Sequence, residues 1–121
     1  MTDTGLRELA GPTNLKNLFL SGTQITDTGL DSLSNLRAMI LLTLSDTQIS
    51  GPGLVHLKGM QGLGGLHLAN TPLTDESLDH IKELKNLGEL DLRGTKITEP
   101  GLKTLQEALP NCKIAHDFDK S

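Results

Sequence analysis

The sequence contains no tyrosine and no tryptophan, and only two phenylalanines, Phe19 and Phe118, among its 121 residues. Large aromatic side chains supply much of the buried area of an ordinary core. A chain with so few must close its interior with Leu and Ile, which suits a narrow, regular body. Tyr and Trp also concentrate binding energy at interfaces, so their lack disfavours a strong hot-spot contact and favours weak or modular binding. The single cysteine, Cys112, excludes an internal disulfide and fits a reducing compartment or a chain indifferent to redox. Basic residues are also short: 11 Lys and Arg face 15 Asp and Glu, for a net charge of -4 and a pI near 5.4. A phosphate backbone demands a basic face, so nucleic acid is disfavoured as a partner. No apolar run approaches the ~18 residues of a membrane span. The opening MTDTGLREL lacks the basic-then-apolar layout of a secretory signal.

What the sequence does have is a period of 24 residues. Leu6, Leu30, Leu54, Leu78 and Leu102 fall in one column, and Leu9, Leu33, Leu57, Ile81 and Leu105 in another. Leu18, Leu42, Leu66 and Leu90 make a third, Leu20, Leu44, Leu68 and Leu92 a fourth, and Ile25, Ile49, Leu73 and Ile97 a fifth. A strict period of this length belongs to stacked supersecondary units, each closing its neighbour's core. The organisation is one domain: a repeat tail at 1–14, full repeats at about 15–38, 39–62, 63–86 and 87–110, and a C-terminal edge strand and tail at 111–121.

Within each repeat the pattern changes twice. In LKNLFLS, residues 15–21, Leu18 and Leu20 alternate inward while Asn17, Phe19 and Ser21 point outward, as in a strand. The GTQIT that follows turns the chain and returns Ile25 to the core. Leu30, Leu33 and Leu36 are then spaced three apart, the pattern of a short or 3₁₀-like helix. Asp27 and Asp75 fit as its N-caps, and Pro52 and Pro100 fit its first turn. The first copy has a helical half, with Leu6 and Leu9 on one face and Gly11 and Pro12 as its stop, but no strand before it. That reads as a fragment of a longer array, or as a domain whose end is covered by something else. Strict periodicity puts Ile114 in the Leu90 column, while Leu109 and Cys112 fit better with one residue inserted near Ala108; both registers stay open. The tail HDFDKS is polar and is expected to fray.

The columns L-x-x-L-x-L-x-x-T-x-I-T-D-x-G-L-x-x-L resemble a leucine-rich repeat of the 24-residue bacterial type, itself similar to the cysteine-containing repeats of F-box proteins. Thr23, Thr47, Thr71 and Thr95 stand where other subfamilies carry Asn or Cys. The resemblance covers about nine-tenths of the chain. It implies an α/β right-handed solenoid with a parallel sheet on the concave face and short helices on the convex face. It also implies recognition by outward strand residues. No F-box-like segment is present.

Candidate chemistry is sparse. The Thr column satisfies backbone groups at a sharp bend. Gly62, Gly64 and Gly65 begin a strand, where no phosphate cradle forms, and instead lower the floor of the concave face for a partner's bulky side chain. His67 and Asp91 share a column on neighbouring strands, about 5 Å apart. With Glu89 they read as half a metal site or an acid–base pair, or as a solvated His–carboxylate contact on an open surface. The last is favoured, because a shallow sheet rarely makes a water-poor pocket. His56 and His80 form one repeat column on the solvated convex face, and Cys112 is a small core residue. No catalytic, cofactor or metal site is assigned. Phe19, Ile40 and Leu41 are the least expected residues, an apolar cluster on a face that should be polar. The reading is a non-enzymatic module that binds a protein partner through Asn17, Phe19, Ile40, Leu41, Thr43, His67, Glu89, Asp91 and Arg93. The alternative is a structural array that self-associates weakly at its N-terminal edge. His116, Asp117, Asp119 and Lys120 are expected to protect the C-terminal edge.

Overall fold

A computed structural model describes residues 2–9 and 14–118, with Leu9 described by its backbone alone. Five strands, β1 (Asn17–Phe19), β2 (Leu41–Thr43), β3 (Gly65–His67), β4 (Glu89–Asp91) and β5 (Lys113–Ala115), pair in parallel in sequence order. Each partner is one repeat away: Leu18 lies against Leu42, Leu42 against Leu66, Leu66 against Leu90 and Leu90 against Ile114. The strands are short because the chain must turn at both ends of every repeat. Before β1, β2 and β3 one carbonyl accepts two N–H groups from the next repeat. Lys16 accepts from Ile40 and Leu41, Ile40 from Gly64 and Gly65, and Gly64 from Gly88 and Glu89, at 2.7–3.0 Å.

After each strand the bend is made by one column. Gly22, Asp46, Asn70 and Gly94 have φ of 75°, 60°, 59° and 74°. Only Gly, Asn and Asp enter that left-handed region cheaply. In the same bend the hydroxyls of Thr23, Thr47, Thr71 and Thr95 donate to the carbonyls of Leu20, Leu44, Leu68 and Leu92 at 2.6–2.8 Å. The Thr column is structural, as its sequence indicates.

The core is a file of aliphatic side chains between sheet and helices. Leu42, Leu66 and Leu90 are wholly buried, with Leu30, Leu33, Leu36, Met39 and Met60 packed behind them. Leu18 and Ile114, at the two ends of the strand column, are only half-buried.

The convex side is built mainly of 3₁₀ turns, Asp27–Leu33, Pro52–Leu57 and Asp75–Ser77, the last running into a short α-helix, Leu78–Ile81. Spacing by three puts the apolar side chains on one face of such turns. Asp27 and Asp75 are not the N-caps. Thr26 and Thr74 occupy that position, and the carboxylates reach across to the following repeat. Asp3 accepts from the Thr26 amide at 2.8 Å and from its hydroxyl. Asp27 accepts from the Ser50 amide and hydroxyl and from the amides of Gly51 and Gly53. Asp75 accepts from the Thr98 amide at 2.8 Å and from its hydroxyl. A glycine in the following repeat leaves room for each: a Cβ on Gly29 would stand 2.2 Å from Asp3 Oδ1, and one on Gly101 2.3 Å from Asp75 Oδ1. The third interlock reverses the sizes. Gly51 stands in the Asp column and Ser77 in the Gly column, and the Ser77 hydroxyl donates to the Ser50 carbonyl at 3.2 Å.

The last convex element is a regular α-helix, Glu99–Ala108. It rises about 1.5 Å per residue against about 2.0 Å for a 3₁₀ turn, so it holds one more residue in the same length. That reconciles the two registers. Leu109 is buried and Cys112 packs half-buried on the core, while Ile114 keeps strict pairing with Leu90. The tail does not fray over 116–118: Asp117 accepts from the Gly94 amide, and Phe118 packs against the core and beside His116. Asp119 and Lys120, the Leu9 side chain, and the Gly11 and Pro12 stop lie outside the described residues. Among the described residues no helix is long and apolar enough to cross a membrane.

Candidate functional site

Alternation along β1–β5 puts two rows of side chains on the concave face. One row runs Asn17, Leu41, Gly65, Glu89, Lys113; the other runs Phe19, Thr43, His67, Asp91, Ala115. The face divides along the solenoid axis. At the N-terminal end Phe19 is 66% exposed, and Ile40, just before β2, is 47% exposed. Asn17 beside them is open, and Thr43 is half-buried at the boundary between the halves. Leu41 is half-buried as well. Its Cδ1 lies 2.7 Å from where a Cβ on Gly65 would stand. Gly65 therefore does not leave a hollow for a partner's side chain: Leu41 fills the space over it.

The C-terminal half is charged. His67, Glu89, Asp91, Arg93 and Lys113 border a shallow groove of about 400 Å³. Lys113 joins the predicted residues here, and its column position, one repeat after Glu89, is the signal that points to it. Asp91 is not on a solvated face, because its side chain is only 13% exposed. Arg93, two residues on and so on the same face, grips the carboxylate through Nε at 3.0 Å and Nη2 at 2.8 Å. The Arg93 amide adds a third bond at 3.2 Å. The guanidinium hydrogen bond holds the Asp91 carboxyl below its usual range, against the opposing pull of its burial. His67 does not pair with Asp91. Its nearest carboxylate is Glu89, with Nε2 4.0 Å from Oε1, and Nε2 is buried without a hydrogen-bond partner. Among the described residues no cluster of three His, Cys, Asp or Glu could hold a metal ion. Cys112 packs on the core, and its burial, with the Glu89 charge, pushes the thiol up. His56 and His80 are half-buried on the convex side, where His56 lies 3.6 Å from Asp31.

The Asp91–Arg93 pair carries a prediction. A carboxyl depressed in the fold contributes stability that is full above its unfolded pKa. That contribution is lost as pH falls through the folded one. Asp91→Asn should cost roughly 1 kcal/mol at neutral pH, discounted because Arg93 is open to solvent. The variant should also show a smaller loss of stability than the native chain as pH drops below about 4. Urea unfolding at pH 7 and pH 3 measures both. Equal acid sensitivity in the two proteins would mean the pair is not formed in solution.

In-register parallel strands, 3₁₀ turns behind them and four Thr-closed bends repeat at one spacing. A leucine-rich repeat family model matches residues 11–34 and 83–105, each match beginning a few residues before the first and the last full repeat. The chain is a leucine-rich repeat protein. Its fold is similar to that of a leucine-rich repeat protein of Leptospira interrogans, with a TM-score of 0.76 and 28% identity, over 93% of this chain and 27% of that one. It is also similar to internalin C2 of Listeria monocytogenes, with a TM-score of 0.75 and 29% identity, over 89% of this chain and 44% of that one. The repeats thus span less than half the length of either bacterial protein. A plant peptide hormone receptor, RGFR1, solved in complex with RGF2, shares the fold at 18% identity and a TM-score of 0.64, over 92% of this chain and 18% of the receptor. No curated protein matches the chain. Leucine-rich repeat proteins are in general protein–protein interaction modules.

Proposed function

We propose that this leucine-rich repeat chain binds a protein partner on its concave sheet, without catalysis, cofactor or metal. One observation carries the reading: Phe19 in β1 and Ile40 just before β2 are both exposed at the N-terminal end of the solenoid, while the other end of the sheet is polar and hydrogen-bonding. Neighbouring exposed apolar side chains on an otherwise polar surface mark an interaction site. In this reading Phe19, Ile40 and Leu41 take apolar contacts from the partner. Asn17, Thr43, His67, Glu89 and Arg93 fix its register through hydrogen bonds, and Asp91 holds Arg93 in place. The repeat boundaries near residues 15, 39, 63 and 87 belong to the same proposal.

The test is selection of peptides from a displayed library against the immobilised 121-residue chain. Selected peptides should lose at least about tenfold in affinity for Phe19→Ser/Ile40→Lys, since burying one such side chain is worth roughly 1.5–3 kcal/mol. The same peptides should bind the convex variant His80→Ser unchanged. Peptides that lose binding to His80→Ser and keep it for the double variant would move the site to the convex side.

A further inference from the structure

The segments that lead from each helical turn down to the next strand form one long edge of the solenoid, and its charge balance changes along the axis. Between the turns Asp27–Leu33 and Pro52–Leu57 a groove of about 440 Å³ opens on that edge, bordered by Arg37, Val55, His56, Lys58 and Gly59. One repeat on, the bases have acids beside them. Lys82 lies 3.0 Å from the Asp79 carboxylate, and Glu83 follows it. In the first groove Val55 stands in place of Asp79, and Gly59 in place of Glu83. Both acids are thus missing where the bases remain. A Cβ on Gly59 would stand 3.8 Å from both Cγ and Nε of Arg37, so the arginine lies over that glycine, beside Lys58. Among the described residues none of Lys16, Arg37 and Lys58 makes an ion pair. The three acids of the first two full repeats are engaged in other places. Asp27 is bonded in the interlock, Asp31 faces His56 at 3.6 Å, and Asp46 accepts from Asn70 in the bends at the opposite edge.

We propose that this edge receives an acidic segment of the protein partner, with carboxylates at Arg37 and Lys58 and apolar side chains on Val55 and Ile40. The inference rests on the concave-face reading and extends the partner's path over the edge. Ile40 joins the two surfaces. It follows Arg37 by three residues, a reach of at most about 11 Å, and its amide donates to the Lys16 carbonyl at 2.7 Å. Phe19, Ile40 and Val55 are the exposed large apolar side chains among the described residues, and all three stand in the first two full repeats, as the three bases do. Exposed cations interleaved with exposed apolar groups are complementary to a segment that alternates acids with apolar residues. A guanidinium presents its N–H fork to a carboxylate in a fixed geometry. An extended polyanion or an anionic bilayer fits less well. The chain's net charge of -4 repels both, whereas a short segment meets only the local cations.

The test takes peptides selected from a displayed random library on the immobilised 121-residue chain. They should be enriched in Asp and Glu over the input library. Their affinity should fall at least about tenfold for Arg37→Glu/Lys58→Glu, because like charges then meet across the contact. Replacing the peptide acids with Lys should restore binding to that variant and abolish it for the native chain. Added salt should weaken the native pair. Lys82→Glu/Lys85→Glu, one repeat along the same edge, should leave the affinity unchanged. Arg37 and Lys58 are exposed, so their reversal should leave the circular-dichroism melt unchanged. Equal losses for the two reversals would be a general charge effect and would overturn the site. Peptides lost to Phe19→Ser but kept by Arg37→Glu/Lys58→Glu would overturn the edge and leave the concave reading standing. Peptides kept by both would overturn the two together. Selected peptides without acidic enrichment, with sedimentation of the native chain on phosphatidylserine vesicles that the Arg37 and Lys58 reversal abolishes, would assign the edge to a lipid surface and overturn the proposal.

Discussion

Leu66→Ala should cost about 2–5 kcal/mol of stability, the range for a leucine whose cavity cannot collapse. Leu66 is wholly buried at the centre of the sheet, with Leu42 and Leu90 paired on either side. Those neighbours are held in place by their own repeats, so the lost contacts are not remade. The informative comparison is Leu18→Ala. Leu18 belongs to the same column but is half-buried at its end. It should cost distinctly less, because in a solenoid each unit is stabilised by the neighbours it touches. Urea titration of both variants measures the difference. A cost for Leu66→Ala below ~1 kcal/mol, or no larger than that for Leu18→Ala, would mean the column is not one continuous core.

The aliphatic columns are legible in the sequence because burial on every repeat demands the same residue type at the same position. Spacing alone therefore places Leu18, Leu42, Leu66 and Leu90, one per strand, and leaves Ile114 open between two registers. The Thr bend is legible for the same reason. The column of Gly22, Asp46, Asn70 and Gly94 is equally present in the sequence. It escapes a reading by hydropathy because its members share a backbone conformation and not a polarity. The Asp column reads as capping because a single repeat shows only local partners. Its carboxylates act on residues 23 or more positions away. On the candidate site, the exposure of Phe19 follows from strand alternation, but the lie of Leu41 over Gly65 does not, since it depends on a side-chain direction. Asp91 and Arg93 share a face by alternation, so their pairing is also within reach of the sequence. The His67–Asp91 neighbours across the strands compete with it there, and only side-chain geometry separates the two.

The reversed interlock gives the sharpest test of how these repeats are joined. Gly51→Ala should cost about 2–6 kcal/mol from two separable sources. Gly51 has φ of 130°, a conformation that a side chain strains, worth roughly 1–3 kcal/mol. A Cβ there would also stand 1.4 Å from Ser77 Oγ, and such overpacking is worth roughly another 1–3 kcal/mol. Ser77→Gly alone removes one hydrogen bond to Ser50, about 1 kcal/mol. In the double variant the overlap is gone and only the backbone strain and the lost bond remain. The two changes should therefore be non-additive, with the double variant roughly 1–3 kcal/mol more stable than the sum of the singles predicts. The same pair of changes made at Gly22 and Ser45 serves as a control. Gly22 is also at positive φ, 75°, but nothing stands within 4 Å of its added Cβ, so strain alone should appear and the coupling should vanish. Additivity at Gly51 and Ser77 would show that the two residues do not share one space, and the exchange of sizes between their columns would then have no packing cause.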